Sequence, residues 1–218
     1  MTTRTIRRLA LAALLACVSV AALAQAGTLM PLAGLRAGAL PDGFTAARTG
    51  RGAPAAWAVV ADPEAEGGLA LAQTGADPTD YRYPLGIVAG PPAANVDVTV
   101  RFKPVSGRTD QAGGLAIRVA DADNYVVVRA NALEDNVNLY RVVKGDRREI
   151  KGASAKVASG QWHTLGLKAE GEIFTVTYDG QVLFTATDRA MSGAGRVALW
   201  TKADSVTRFD ALTIRILP

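Results

Sequence analysis

From Val96 onward the sequence alternates, and that constrains the fold more than anything else in it. Val96, Val98, Val100 and Phe102 are separated by Asp97, Thr99, Arg101 and Lys103, and Leu115, Ile117 and Val119 by Ala116, Arg118 and Ala120. Successive side chains of an extended chain point to opposite faces, so a period of two predicts half-buried strands. Further strands are expected over Tyr125–Asn131, Val137–Val143, Arg147–Lys151, Gln161–Ala169, Ile173–Tyr178, Gln181–Ala186, Arg196–Lys202 and Val206–Ile216. Turn residues fall between them. Asp179-Gly180 suits the positive φ angles of a two-residue hairpin turn, and Lys144-Gly145-Asp146 and Asp121-Ala122-Asp123-Asn124 are slightly longer connections. After Gly52 no helical stripe runs beyond one or two turns. Many short strands at regular spacing predict an all-β domain, foremost a sandwich of two antiparallel sheets, with a closed barrel as the alternative.

The N-terminus reads differently. Arg4, Arg7 and Arg8 precede an apolar run over Leu9–Ala24, and Ala24-Gln25-Ala26 is a small-x-small site. Residues 1–26 therefore read as a secretory signal peptide, too short and wrongly flanked for a transmembrane segment. The alternative takes Leu14-Leu15-Ala16-Cys17 as a lipoprotein box, with a lipid anchor on Cys17. Either way a periplasmic or secreted location is expected. Residues 27–40 read as a linker and 41–218 as the domain. Without the leader the chain has no cysteine, and a domain of this size, burying about 70% of its unfolded surface, needs none.

Composition excludes several chemistries. One cysteine and one histidine, His163, cannot build a zinc site of Cys/His type or a histidine relay. His163 shares parity with Leu165 and Leu167 and reads as a core-edge residue; Trp57 and Trp162 read as packing residues. The formal charge of +4 comes mostly from the leader: without it, 21 basic residues face 20 acidic ones. With signs interspersed, nucleic acid is not an expected partner. Gly113-Gly114 precedes a strand rather than a helix, so no phosphate loop is present.

Several stretches together resemble a known superfamily. Asp123-Asn124-Tyr125, Arg129-Ala130-Asn131-Ala132-Leu133-Glu134-Asp135-Asn136-Val137, Gln161-Trp162-His163-Thr164-Leu165, Tyr178-Asp179-Gly180 and Trp200-Thr201-Lys202-Ala203-Asp204-Ser205 resemble concanavalin A-like jelly rolls, laminin G-like domains among them. The likeness is nearest to the 3-keto-disaccharide hydrolase family and covers about Leu40–Ile216. It implies a two-sheet jelly roll with a concave outer face. Glucanases of this superfamily set three acids on one strand as Glu-x-Asp-x-x-Glu, because retaining hydrolysis needs two carboxyl groups about 5 Å apart. That run is absent here, and Asn124–Asn131 lacks the Gly-x-Glu-x-Gln strand of the 3-keto-disaccharide hydrolases.

Parity then selects candidate groove residues. With Val126, Val128, Val137, Leu139, Val197 and Leu199 facing inward, the outward set is Arg118, Arg129, Asn131, Asn138, Tyr140, Trp200 and Lys202. Aromatic faces flanked by forked donors and acceptors are what a carbohydrate needs. Glu134 and Asp135, in the adjacent loop, are the candidates for a general acid or base. Asp121, Asp123 and Asn124 supply oxygens that could hold a structural calcium, although Asp and Asn favour turns on their own account. The expected function is carbohydrate or glycan recognition without catalysis; the alternatives are a hydrolase of 3-keto-glycosides and an envelope protein-interaction domain. The sequence carries no signal for oligomeric state.

Overall fold

The computed structural model describes residues 28–218; the stretch read as a signal peptide, with the expected cleavage site and Cys17, lies outside them. Two antiparallel sheets face each other. One contains β1 (Thr28–Leu29), β2 (Gly38–Ala39), β4 (Trp57–Ala61), β5 (Leu69–Gln73), β7 (Val96–Ser106), β12 (His163–Glu170), β13 (Ile173–Tyr178), β14 (Gln181–Thr187) and β16 (Val206–Ile216). Its order is β14-β13-β12-β7-β16-β5-β4-β2, with β1 also on β16. The other contains β3 (Phe44–Gly50), β6 (Arg82–Val88), β8 (Ala112–Asp121), β9 (Asn124–Asn131), β10 (Asn136–Val143), β11 (Asp146–Ser154) and β15 (Arg196–Trp200), in the order β11-β10-β9-β8-β15-β6-β3.

The alternating residues build the core between the sheets. Val98, Val100, Phe102, Leu165, Leu167, Phe174, Phe209 and Ile214 from one sheet pack on Leu115, Ile117, Val126, Val128, Val137, Leu139 and Leu199 from the other. Each such side chain, fully buried, contributes about 1.5–3 kcal/mol. Asp179 (φ 46°) and Gly180 (φ 79°) close β13 to β14 with the two positive φ angles expected of that hairpin, and Lys144 and Gly145 repeat the geometry between β10 and β11.

Three features depart from the sequence expectation. The segment read as a linker joins the sheet: Thr28 pairs Arg215, Leu29 pairs Ile214, Gly38 pairs Val59, and Leu32 is buried in the core. Strands of two residues leave no periodicity to read. Secondly, β6 passes through the seven-stranded sheet with Pro84 and Gly86 at inward positions, residues that normally argue against a strand. Gly86 fits because Trp57 lies against it, where an added Cβ would sit 3.4 Å from the indole; the Trp57 N–H donates to the Leu85 carbonyl at 3.1 Å. Arg82, also buried, donates to the carbonyls of Ala53, Pro54 and Ala203. Thirdly, Arg118 has a φ of 52°, and the β8 register shifts between Ile117 and Asp121. This bulge rotates the following side chains and has consequences for the site.

The outer face of the nine-stranded sheet is polar. Lys103 and Arg208 both reach Asp62, at 2.6 and 2.8 Å. Burial pushes the Asp62 carboxyl up, but hydrogen bonds from Lys103, Arg208 and the Glu64 amide prevail and hold it down to about 2. His163 lies at the edge of the core, stacked on Tyr178 and tilted against Phe102. Its Nδ1 bonds Asp179 at 2.9 Å and its Nε2 accepts from the Ala158 amide at 3.0 Å.

Candidate functional site

The outer face of the seven-stranded sheet is not an open surface. A second apolar cluster covers it, with Tyr83, Leu85, Ala116, Tyr125, Val127, Tyr140, Val142, Ala198 and Trp200 all buried. The cover is the sheet itself, which is curled. The Trp200 N–H donates to the Tyr125 hydroxyl at 3.1 Å, that hydroxyl lies 2.8 Å from Thr49 Oγ1, and Thr49 donates to the Ala122 carbonyl. Thr49 belongs to the edge strand β3 and Tyr125 to β9, four strand spacings away. Burial pushes the Tyr125 phenol up, so it stays protonated within this chain of bonds. Tyr83 stacks on Trp200 at 5.4 Å.

Away from these clamps the face opens among the loops, and a charged cluster sits there. Lys202 Nζ lies 2.8 Å from Asp80 and 2.7 Å from Asp110. Asp110 is positioned by its loop: the Asp204 carboxylate accepts from the amides of Arg108, Thr109 and Asp110 at 2.7 to 3.0 Å, folding the chain around itself. Asn131 donates to the second Asp110 oxygen at 2.7 Å. Burial pushes the Asp110 carboxyl up despite Lys202. Lys202, pushed down by burial, is raised overall by its bonds to Asp110 and Asp80. Arg129, only 3% exposed, donates through Nη2 to Glu134 at 2.9 Å and to the Tyr140 hydroxyl at 3.0 Å, while its Nε and Nη1 have no partner. Asn138 donates to Tyr140 and to Glu149, each at 3.0 Å. Burial works against ionised Glu134, yet the bonds from Arg129 and Asn136 lower it overall.

Six of the seven groove residues named from parity, Arg129, Asn131, Asn138, Tyr140, Trp200 and Lys202, therefore lie on this face or at its rim. Tyr140 and Trp200 are buried in it rather than displayed on it. Arg118 does not join them. The bulge turns it over the Phe174 ring at 5.0 Å, where it donates to the carbonyls of Ala94, Met191 and Gly171 at 2.9, 2.5 and 2.5 Å. Its job there is structural. Glu134 stands at the rim, but Asp135 points elsewhere, bonded to Lys156 at 2.8 Å and to the Val157 amide at 3.0 Å. Asp121, Asp123 and Asn124 form the β8–β9 turn. Asp121 accepts from the Asp123 amide and the Asn124 side chain, and Asn124 accepts from the Lys144 amide. Among the described residues no group of three or more His, Cys, Asp or Glu is arranged to hold a metal.

Sequence reasoning missed Asp80, Tyr81, Tyr83, Asp110 and Arg147. Tyr81 is 55% exposed, beside Asp80 at the rim, its ring 6.4 Å from Tyr83. The signal was the pair Tyr81 and Tyr83 on either side of Arg82, obscured because Arg82 faces inward where an apolar residue is expected. Arg147 is the second residue of β11, on the edge of the sheet, yet its guanidinium lies over Tyr140, Tyr83 and Trp200 at 4.5, 5.0 and 5.9 Å.

Solved structures share this fold. The carbohydrate binding module CBM66 from Bacillus subtilis aligns with a TM-score of 0.64 and 19% identity over 79% of this chain and 95% of that one. A Bacillus subtilis protein of unknown function with a galectin-like fold gives 0.58 and 11% over 79% and 88%. A Bacillus licheniformis β-glucanase gives 0.57 and 13% over 89% and 100%. These likenesses establish a concanavalin A-like jelly roll. No curated protein sequence matches the chain. Residues 96–217, more than half of the chain, match the family described as galactocerebrosidase, C-terminal lectin domain, and the chain belongs to that family.

Proposed function

We propose that the protein is an exported carbohydrate-recognition domain that binds a saccharide at the loop end of its concave face, without catalysis of its own. The observation that carries this reading is Arg129. Leaving donors of a buried guanidinium unpaired costs about 1–3 kcal/mol each, and such groups persist mainly where a ligand or ordered water completes them. Around it, Lys202 donates, Asp80 and Glu134 accept, and the exposed Tyr81 ring offers a face for sugar C–H groups. The lectin-domain family and the Arg-rich, apolar leader support recognition outside the cytoplasm.

Hydrolysis of 3-keto-glycosides is favoured less. A glycosidase acid needs a raised pKa, whereas Glu134 is lowered by Arg129 and Asn136 and suits accepting a hydroxyl proton. Asp135, engaged by Lys156 and Val157, faces away from the cluster.

Calorimetric titration with a panel of neutral and acidic oligosaccharides tests the proposal. One sugar class should bind with a Kd of about micromolar to millimolar, and Arg129→Met should weaken it at least ~10-fold, equivalent to ~1.4 kcal/mol, with an unchanged circular dichroism spectrum. Full affinity in that variant would remove Arg129 from the site. Calcium added to both titrations should alter neither.

A further inference from the structure

We infer that the groove is a blind one, stoppered by Arg147, so that the domain recognises the end of a saccharide chain and not its interior. Neighbouring strands lie about 4.8 Å apart, so on a flat sheet rings on β10 and β6, four spacings apart in this order, would sit about 19 Å from each other. One guanidinium carbon reaches Tyr140 on β10 at 4.5 Å and Tyr83 on β6 at 5.0 Å. The two walls are therefore drawn to within one planar cation of each other. Arg147 fills that gap, and its Nη1 is buried without a hydrogen-bond partner, so aromatic faces hold it rather than an ion pair.

Beyond Arg147 the path is shut again. Trp200, Tyr125, Thr49 and the Ala122 carbonyl form an unbroken series of hydrogen bonds from the floor to the opposite edge strand. A glycan entering between Tyr81 and Lys202 meets Tyr83 and Tyr140 with their faces already covered and has no exit at the β8–β9 and β10–β11 turns. Arg147 is thus a specificity-determining residue, because it limits how many sugar units can be accommodated. It approaches from a hairpin at the edge of the sheet, held by the Lys144-Gly145 turn, and is itself only partly exposed.

This inference rests on the sugar-binding reading above. It is tested with ladders of β-linked galacto-, gluco- and arabino-oligosaccharides, from disaccharide to hexasaccharide, titrated into the wild-type protein and into Arg147→Ala. In the wild type, affinity per chain should be the same within about twofold from disaccharide to hexasaccharide, because only the terminal units are held. In Arg147→Ala, affinity should rise with length by ~10-fold, the equivalent of ~1.4 kcal/mol from newly uncovered aromatic stacking. Wild-type affinity that climbs steadily with length would overturn the blind groove while leaving sugar binding intact. No binding by any ladder would overturn the sugar-binding reading and this inference with it. The wild-type series alone decides between these outcomes, whatever the fold of the variant.

Discussion

Trp200→Ala should unfold far more easily than the wild type, losing about 3–5 kcal/mol of stability. Trp200 is fully buried, stacked on Tyr83, and its indole N–H donates to Tyr125. Truncation removes the largest fully buried side chain among the described residues, leaves a cavity against Tyr83, and deprives the Tyr125 hydroxyl of its donor. For a chain of this length the loss corresponds to a melting temperature lower by ~10 °C, measured by circular dichroism or calorimetry. Trp200→Phe keeps the ring contact with Tyr83 and should cost less than half as much. A stable Trp200→Ala that had merely lost sugar binding would mean that the indole is a displayed stacking platform, contrary to its burial.

Lys202→Met should be the most damaging change in the charged cluster, costing about 3 kcal/mol or more. Asp110 is 1% exposed, and Lys202 is its only cationic contact within salt-bridge distance among the described residues. Removing the ammonium leaves a buried carboxylate with only Asn131 and its own loop to support it. The double variant with Asp110→Asn should recover most of the loss, since the charge that needed compensation is gone. Acid should help too. Burial already pushes the Asp110 carboxyl up; without Lys202 the folded state takes up that proton at a higher pH than the unfolded chain does, so the penalty is full at neutral pH and shrinks as pH falls through the raised pKa. Urea titrations at neutral and mildly acidic pH measure both effects. A Lys202→Met protein as stable as the wild type at neutral pH would show that the Asp110 carboxylate has other compensation.

How far these features could be read from sequence depends on the range of the interaction. Alternation in Val96–Lys103, Asn124–Asn131 and Asn136–Val143 is a local property, and it assigned Val126, Val128, Leu139 and their outward neighbours to the correct faces. Parity fails where the backbone inserts a residue. The positive φ at Arg118 reverses the assignment beyond Ile117, and nothing in Ala116-Ile117-Arg118-Val119 marks it. The strand β6 was hidden because each of its unusual inward residues is explained by a distant partner: Gly86 by Trp57, and Arg82 by carbonyls of Ala53, Pro54 and Ala203. Curvature is the least local property of all. That Tyr140 and Trp200 are buried on an outer face follows from Thr49 reaching Tyr125 and Arg147 reaching Tyr83, contacts between residues more than sixty positions apart. For the same reason Asp80, Tyr81 and Asp110 join the cluster only once the loops are folded around Asp204 and Lys202.

The most direct test of sugar recognition at the loop end is a residue-resolved nuclear magnetic resonance titration of the protein with whichever oligosaccharide binds in the calorimetric panel. Shift changes should concentrate at Asp80–Tyr83, Asp110, Arg129–Glu134 and Thr201–Lys202, and leave Arg101, Lys103 and Trp162 on the opposite face unmoved. Changes confined to that opposite face, or no changes with any saccharide at millimolar concentration, would contradict it.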